Sequence, residues 1–286
     1  MYEAFYGLRE RPFDLTPNPR FLLMTSRHRE ALTTLEYGLT ARTGIALMVG
    51  EAGTGKTTIV HAALQSQSVR QSRAVYLNNP ALTRAEFIEF IAAGFGLSQA
   101  AATSKTRCLS ELTEMLASRH ESGMMSALVI DEAHCLTDEL LEEVRLLANI
   151  ESAAEKLLSI VLAGQPEIAD RLNQPSLRQL KQRIGLRCSL AALAPAETAA
   201  YIAARLRIAG GDDSPVFTDE AIATIHDCSR GIPRTISVIA DNALVSAFAL
   251  DQRPVDRDVV LEICRDFDFG ETPDDAAEPF STGFPL

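Results

Sequence analysis

Nowhere in its 286 residues does the chain hold a run approaching the roughly 20 apolar residues of a membrane-spanning helix, so no transmembrane segment is expected. The opening, MYEAFYGLRERPF, lacks the unbroken apolar stretch of a secretory leader, and the expected location is the cytoplasm. The five cysteines (Cys108, Cys135, Cys188, Cys228, Cys264) form neither a CxxC nor a Cys/His ligand pattern. Reduced, mostly buried thiols are expected of them, and no metal site. Positive charge is also short: the formal net charge is −11, which argues against coating nucleic acid by bulk attraction. From Asp266 to Leu286 there is no Lys or Arg at all, against six acids (Asp266, Asp268, Glu271, Asp274, Asp275, Glu278). Taking those six from the total leaves −5 for the remainder, so a local basic patch is allowed there. DNA is therefore an allowed partner that the net charge does not support. No internal repeat and no low-complexity core is found.

What is present is an alternation of strand-like and helix-like segments up to about residue 193, the pattern of a parallel sheet flanked by helices. Ile45–Val49, Ala74–Leu77, Leu128–Ile130 and Ile160–Leu162 read as buried strands, and Arg187–Leu190 as a weaker fifth. Thr83 with Glu86 and Ser176 with Gln179 read as capping boxes, and Thr137 as the cap of DELLEEVRLLANI. From Pro195 onward the strand signals stop. Helical patterns cover Ala196–Ile208, Asp219–Cys228, Pro233–Leu250 and Arg257–Phe267, separated by GGDDSP and by Gly-Ile-Pro at 231–233. The expected organisation is an α/β nucleotide-binding domain over 1–194, a small all-helical lid over 195–268, and a disordered acidic tail over 269–286.

The densest chemistry is GEAGTGKT, which follows the strand Ile45–Val49 directly and fits G-x-x-x-x-G-K-[ST]. Its residues are Gly50, Glu51, Ala52, Gly53, Thr54, Gly55, Lys56 and Thr57, with Thr58 next. The glycines let the main chain curl so that its N–H groups converge, and the positive end of the following helix adds to their attraction for phosphate. Lys56 is expected to reach the β- and γ-phosphates of ATP, and the Thr57 hydroxyl to ligate Mg2+.

Some 75 residues on, SALVIDEAH ends an apolar strand in Asp131 and Glu132. A carboxylate at the end of a strand beside the phosphate-loop strand is placed to hold the Mg2+ shell, the role expected of Asp131. Glu132 is then available to polarise the attacking water. Two acids capping the next helix is the alternative. His134 is expected to be a packed or supporting residue rather than a catalytic base.

With these motifs placed, the chain resembles AAA+ ATPases of the ExeA/GspA general secretion type, whose relatives include ATPases of exopolysaccharide and exosortase loci. The opening through TSRHREALTTLEYGL, then GEAGTGKTT, VIDEAH, LAGQPEI, LRQLKQRI and SRGIPRTI, are similar to that family in order, over roughly residues 1–265. The resemblance implies a homo-oligomeric ring or filament hydrolysing ATP between subunits. It implies a polar sensor at Gln165, whose amide both donates and accepts. It also implies an arginine finger from LRQLKQRI, with Arg178 and Arg183 both open and Arg183 slightly preferred. Arg234 is implied as the lid arginine that answers the γ-phosphate. Phe5, Tyr6 and Phe13 are candidates for packing near adenine, with ordinary core packing expected for most of them. Larger family members continue into a membrane span and a peptidoglycan-binding region that this sequence does not contain. Contact with secretion or export machinery at the inner membrane is therefore expected to run through a partner. Two other functions use the same loop: an ATP-dependent DNA-binding regulator resembling transposition ATPases, and a small-molecule kinase. In a monomeric kinase the Asp-Glu pair, the arginine segment and GIPR have no obvious purpose.

Overall fold

The computed structural model describes residues 1–269 apart from 17, 18, 22, 42, 68, 70, 71, 153, 154 and 213. The acidic tail from residue 270 lies outside the described residues. In chain order the elements are α1 (Tyr2–Phe5), α2 (Ser26–Thr40), β1 (Ile45–Gly50), α3 (Lys56–Gln65), β2 (Arg73–Leu77), α4 (Arg84–Gly94), α5 (Gln99–Ala102) and α6 (Lys105–Glu121). Then follow β3 (Ser126–Ile130), α7 (Asp138–Leu147), β4 (Ser159–Gly164), α8 (Pro166–Arg171), α9 (Arg178–Lys181) and β5 (Ile184–Leu190). The chain closes with α10 (Pro195–Ile208), α11 (Asp219–Ser229), α12 (Pro233–Ala249) and α13 (Arg257–Asp266). No helix among the described residues is long and apolar enough to cross a membrane.

Two compact units are present, 17–191 and a second made of 1–16 together with 192 onward. In the first, five strands pair entirely in parallel in the order β2-β3-β4-β1-β5. Parallel sheets need cover on both faces, and the alternation of side chains along β1 supplies it. Ile45, Leu47 and Val49 join one apolar cluster with Phe87 and Ile91 of α4 and Leu112 of α6. Ala46 and Met48 join another with Leu35 of α2 and Ile59 of α3. The expected strand cores are all present. One detail is corrected: the strand that ends in the acid pair is not beside the phosphate-loop strand, because β4 lies between β3 and β1.

Helix starts follow local chemistry. Thr83 and Glu86 make the expected reciprocal capping box. Thr137 Oγ1 accepts from the Leu140 N–H at 3.3 Å. The capping box expected at Ser176 does not form. Pro175 opens a 3-10 turn over Pro175–Leu177, and α9 then starts at Arg178 with Leu177 at its N-cap. Ser176 is inside that turn and so cannot cap.

The second unit corrects the expected grouping of the N-terminal segment with the α/β domain, because residues 1–16 pack on the helices. Tyr2 and Arg11 both donate to the Asp241 carboxylate of α12. Arg205 of α10 donates to the Pro12 carbonyl at 2.8 Å. Tyr6 and Phe13 are buried, Phe5 packs edge-on against Phe248, and Phe13 against Phe217. Tyr6 and Phe13 are thus core residues of the helical unit, and half-buried Phe5 packs at its margin.

Candidate functional site

The carboxyl ends of β1, β3 and β4 share one edge of the sheet, which is where an open parallel sheet offers loops for ligands. At the end of β1 the chain must turn without side-chain bulk. A Cβ on Gly50 would sit 2.7 Å from the Leu190 carbonyl of β5 and 2.9 Å from Thr54 Oγ1. Gly53 and Gly55 take positive φ values of 80° and 95°, a region that costs residues with a Cβ on the order of 1 kcal/mol. The Thr54 hydroxyl donates to the Glu51 carbonyl at 2.8 Å and ties the loop across its mouth. Glu51 and Ala52 are exposed on the rim, while Thr57 and Thr58 are half-buried on the first turn of α3.

Lys56 is only 4% exposed, and its Nζ donates to the carbonyls of Gly50 (2.8 Å) and Glu51 (3.0 Å). Burial holds its pKa below the ordinary lysine range, opposed by the carboxylates of Glu132, Asp131, Glu51 and Glu167. A partly desolvated cation on main-chain carbonyls at a helix N-terminus has a strong drive to accept an anion in their place.

The loop and the acid pair meet directly. Thr57 Oγ1 donates to Asp131 Oδ2 at 2.6 Å, reaching past the end of β4. The same Oδ2 accepts from the Tyr76 hydroxyl at 2.9 Å, and Oδ1 accepts from the Glu132 N–H at 2.9 Å. Burial first, then the Asp131 charge, lifts the Tyr76 pKa well above its ordinary range, so the phenol stays a donor. The His61 ring of α3 lies 5.0 Å from the Tyr76 ring. A hydroxyl and a carboxylate 2.6 Å apart are hard oxygen donors of the kind Mg2+ takes, and the two therefore suit a Mg2+ site.

Glu132 has a left-handed backbone, φ 50°, in a residue with a Cβ. The Glu132 carboxylate lies within 3.5 Å of His134 Nδ1. Gln165 caps α8 at the end of β4, and its Nε2 lies 3.0 Å from His134 Nε2. The turn is pinned by Arg171 of α8, which donates to the carbonyls of His134 (2.9 Å) and Leu136 (2.7 Å). It also lies flat on β4, where a Cβ on Gly164 would be 3.1 Å from the His134 nitrogen.

The residues singled out in the sequence are thus brought together unequally. Gly50–Thr58 and Asp131 form one contact set, and Glu132 and Gln165 are joined through His134. Arg178 opens α9 and Arg183 precedes β5, both exposed, and neither is hydrogen-bonded to those groups among the described residues. Arg234 is exposed in the first turn of α12, in the helical unit.

Two contributors escaped the sequence reading. Tyr76 is one. His28 is the other: it is buried under the loop, with Nδ1 2.7 Å from Thr25 Oγ1 and Nε2 3.4 Å from the Thr54 carbonyl. Its signal was available, because His28, Ala31, Leu35 and Leu39 form the buried stripe of α2, and a histidine in an apolar stripe needs a polar partner.

Comparison with known proteins agrees with this architecture. Residues 40–172 match a family described as an AAA domain. The chain is similar to "General secretion pathway protein A" of Aeromonas hydrophila, 42% identical over 249 residues, covering 87% of this chain and 45% of that one. It thus spans about half the length of that curated relative. Among solved structures, an Aeropyrum pernix ORC2 protein in ADPNP-ADP complexes aligns with a TM-score of 0.65 at 18% identity, covering 90% of this chain and 71% of that one. The Thermotoga maritima RuvB branch migration motor aligns at 0.55 and 18%, covering 86% and 72%. At such identities these likenesses speak to the fold alone.

Proposed function

The chain belongs to the ExeA/GspA type of AAA+ protein, and on that premise we propose that it hydrolyses Mg2+-bound ATP between subunits of a homo-oligomer. The turnover would drive assembly or remodelling in bacterial secretion or exopolysaccharide export, from the cytoplasmic side and through a membrane partner. The observation that carries this reading is the 2.6 Å contact between Thr57 and Asp131, which joins the phosphate loop to the acid pair.

Each residue then has a task. The N–H groups of Gly50–Thr58 cradle the phosphates, and Lys56 exchanges its two carbonyl partners for the β- and γ-oxygens. Thr57 and Asp131 would hold the shell of a Mg2+ ion, which when bound would supply charge neutralisation for the phosphates. Glu132 orients and polarises water, and Gln165 senses the γ-phosphate. Arg183, or Arg178 in its place, serves the neighbouring subunit's site, and Arg234 is the lid arginine.

The test separates binding from chemistry. Glu132→Gln is expected to keep its affinity for Mg-ATP within about threefold and to lose turnover about a hundredfold or more, the usual worth of a general base. Lys56→Ala is expected to lose nucleotide binding itself. Turnover in Glu132→Gln equal to that of the unsubstituted chain would remove Glu132 from this role, and unimpaired ATP binding in Lys56→Ala would overturn the reading altogether.

A further inference from the structure

Between Glu132 and Gln165 stands an imidazole whose two nitrogens face different partners. His134 Nδ1 is 3.5 Å from Glu132 Oε2 and 3.4 Å from the Gln165 backbone nitrogen. His134 Nε2 is 3.0 Å from the Gln165 side-chain nitrogen and 3.4 Å from Cys135 Sγ. The ring is mostly buried, 17% exposed, while the Glu132 side chain it faces is 44% exposed. Arg171 clamps the His134 carbonyl and pins the backbone that carries the ring.

A neutral imidazole carries one N–H, and its position decides which of these contacts are bonds. With the proton on Nδ1, the ring donates to the Glu132 carboxylate while bare Nε2 accepts from the Gln165 amide. With the proton on Nε2, bare Nδ1 accepts the Gln165 main-chain N–H, and Glu132 has no donor from the ring. Exchange between the two moves one proton off one nitrogen and one onto the other through solvent, with no change in charge. The amide contact at 3.0 Å favours the first arrangement and the main-chain N–H contact at 3.4 Å the second, and the shorter of the two, the side-chain amide, tips the balance to the first. The 3.5 Å carboxylate contact is long, as active-site contacts often are before substrate closes them.

We propose that His134 is a positioning residue through which the Gln165 amide fixes the tautomer that orients the Glu132 carboxylate. The inference rests on the assignment of Glu132 as the base that polarises water. It gives Gln165 a second task besides sensing phosphate, and makes the two residues act as one unit. An imidazole that merely filled space would leave their contributions independent.

Two measurements decide it. In nucleotide-free protein, side-chain 15N spectra of His134 are expected to show mainly the Nδ1–H tautomer, shifting toward Nε2–H in Gln165→Ala. An unchanged tautomer there overturns the proposal without any substitution at His134. In steady-state kinetics, His134→Ala is expected to lower kcat about tenfold with KM for Mg-ATP changed by less than about twofold. The double variant with Gln165→Ala is expected to be no slower than Gln165→Ala alone. Losses that multiply, or an unchanged kcat in His134→Ala, overturn the proposal. Glu132→Gln run alongside keeps the failures apart. If it turns over normally, the base assignment falls and takes the proposal with it. If it is inactive while His134 shows no coupling, only the proposal falls.

Discussion

At the scale of single residues, the site works because Asp131 is held from several directions. Oδ2 takes hydrogen bonds from both Thr57 and Tyr76, and Oδ1 takes the Glu132 N–H. If Thr57 turns its hydroxyl to a metal, Tyr76 is left to keep the carboxylate in place. Tyr76→Phe removes that donor and nothing else. It is expected to raise the Mg2+ concentration for half-maximal turnover about tenfold, the order usual for partners of metal-shell groups, with metal-free nucleotide affinity unchanged. A Mg2+ titration at saturating ATP measures this, and an unshifted midpoint would show that Thr57 and the main chain suffice. Legibility at this scale follows sequence distance. The glycines, Lys56 and Thr57 could be read because one short loop carries the whole pattern. Tyr76 is 55 residues from Asp131 on a separate strand, and no local pattern marks which strand-end aromatic will face a carboxylate.

Elements were legible where their apolar patterning was strong and uncertain where it was mixed. β1 and β4 have every residue buried, and their cores were read directly. β5 begins three residues before its expected start, at Ile184. As an edge strand it mixes exposed and buried positions, and Gly185 weakens the pattern further. Strand order was not readable at all. Nothing within SALVIDEAH reveals that β4 lies between it and β1, because order depends on which crossovers pack, not on any strand's composition. In the helical unit, Gly231 fixes the approach of the segment before α10 to the start of α12. Its φ is 71°, its carbonyl accepts from the Leu193 N–H at 2.8 Å, and a Cβ there would lie 2.1 Å from the Leu193 carbonyl oxygen. Gly231→Ala is therefore expected to destabilise the protein by about 2–4 kcal/mol in denaturant unfolding. Gly123→Ala is the control, since Gly123 has a similar φ of 70° with open space around it. It is expected to cost only about 1 kcal/mol, so equal losses at the two sites would show that backbone conformation, not the close approach, sets the cost.

At the scale of the whole molecule, the α/β unit is an insertion in the helical one, entered after residue 16 and left before residue 192. The sequence reading placed residues 1–16 with the wrong partner because their contacts, such as Tyr2 with Asp241, span more than two hundred positions. Long-range placement also explains why Arg183 is preferred over Arg178 only slightly, since both are exposed and the target proposed for them lies on another copy. Mixing can reveal it without a structure of the assembly. Lys56→Ala subunits are expected to lack nucleotide but keep a sound finger, and Arg183→Ala subunits the reverse. Each alone is expected to be depressed about a thousandfold or more, the range an arginine finger supplies. In an equal mixture that exchanges subunits, about a quarter of the interfaces set an Arg183→Ala site against a Lys56→Ala neighbour, and turnover should return in that proportion. Recovery with Arg183→Ala but not with Arg178→Ala names Arg183 as the residue that crosses the interface. The reverse result names Arg178. No recovery with either, from subunits shown by mass to exchange, means that the arginine completing the site does not come from this segment of the neighbour.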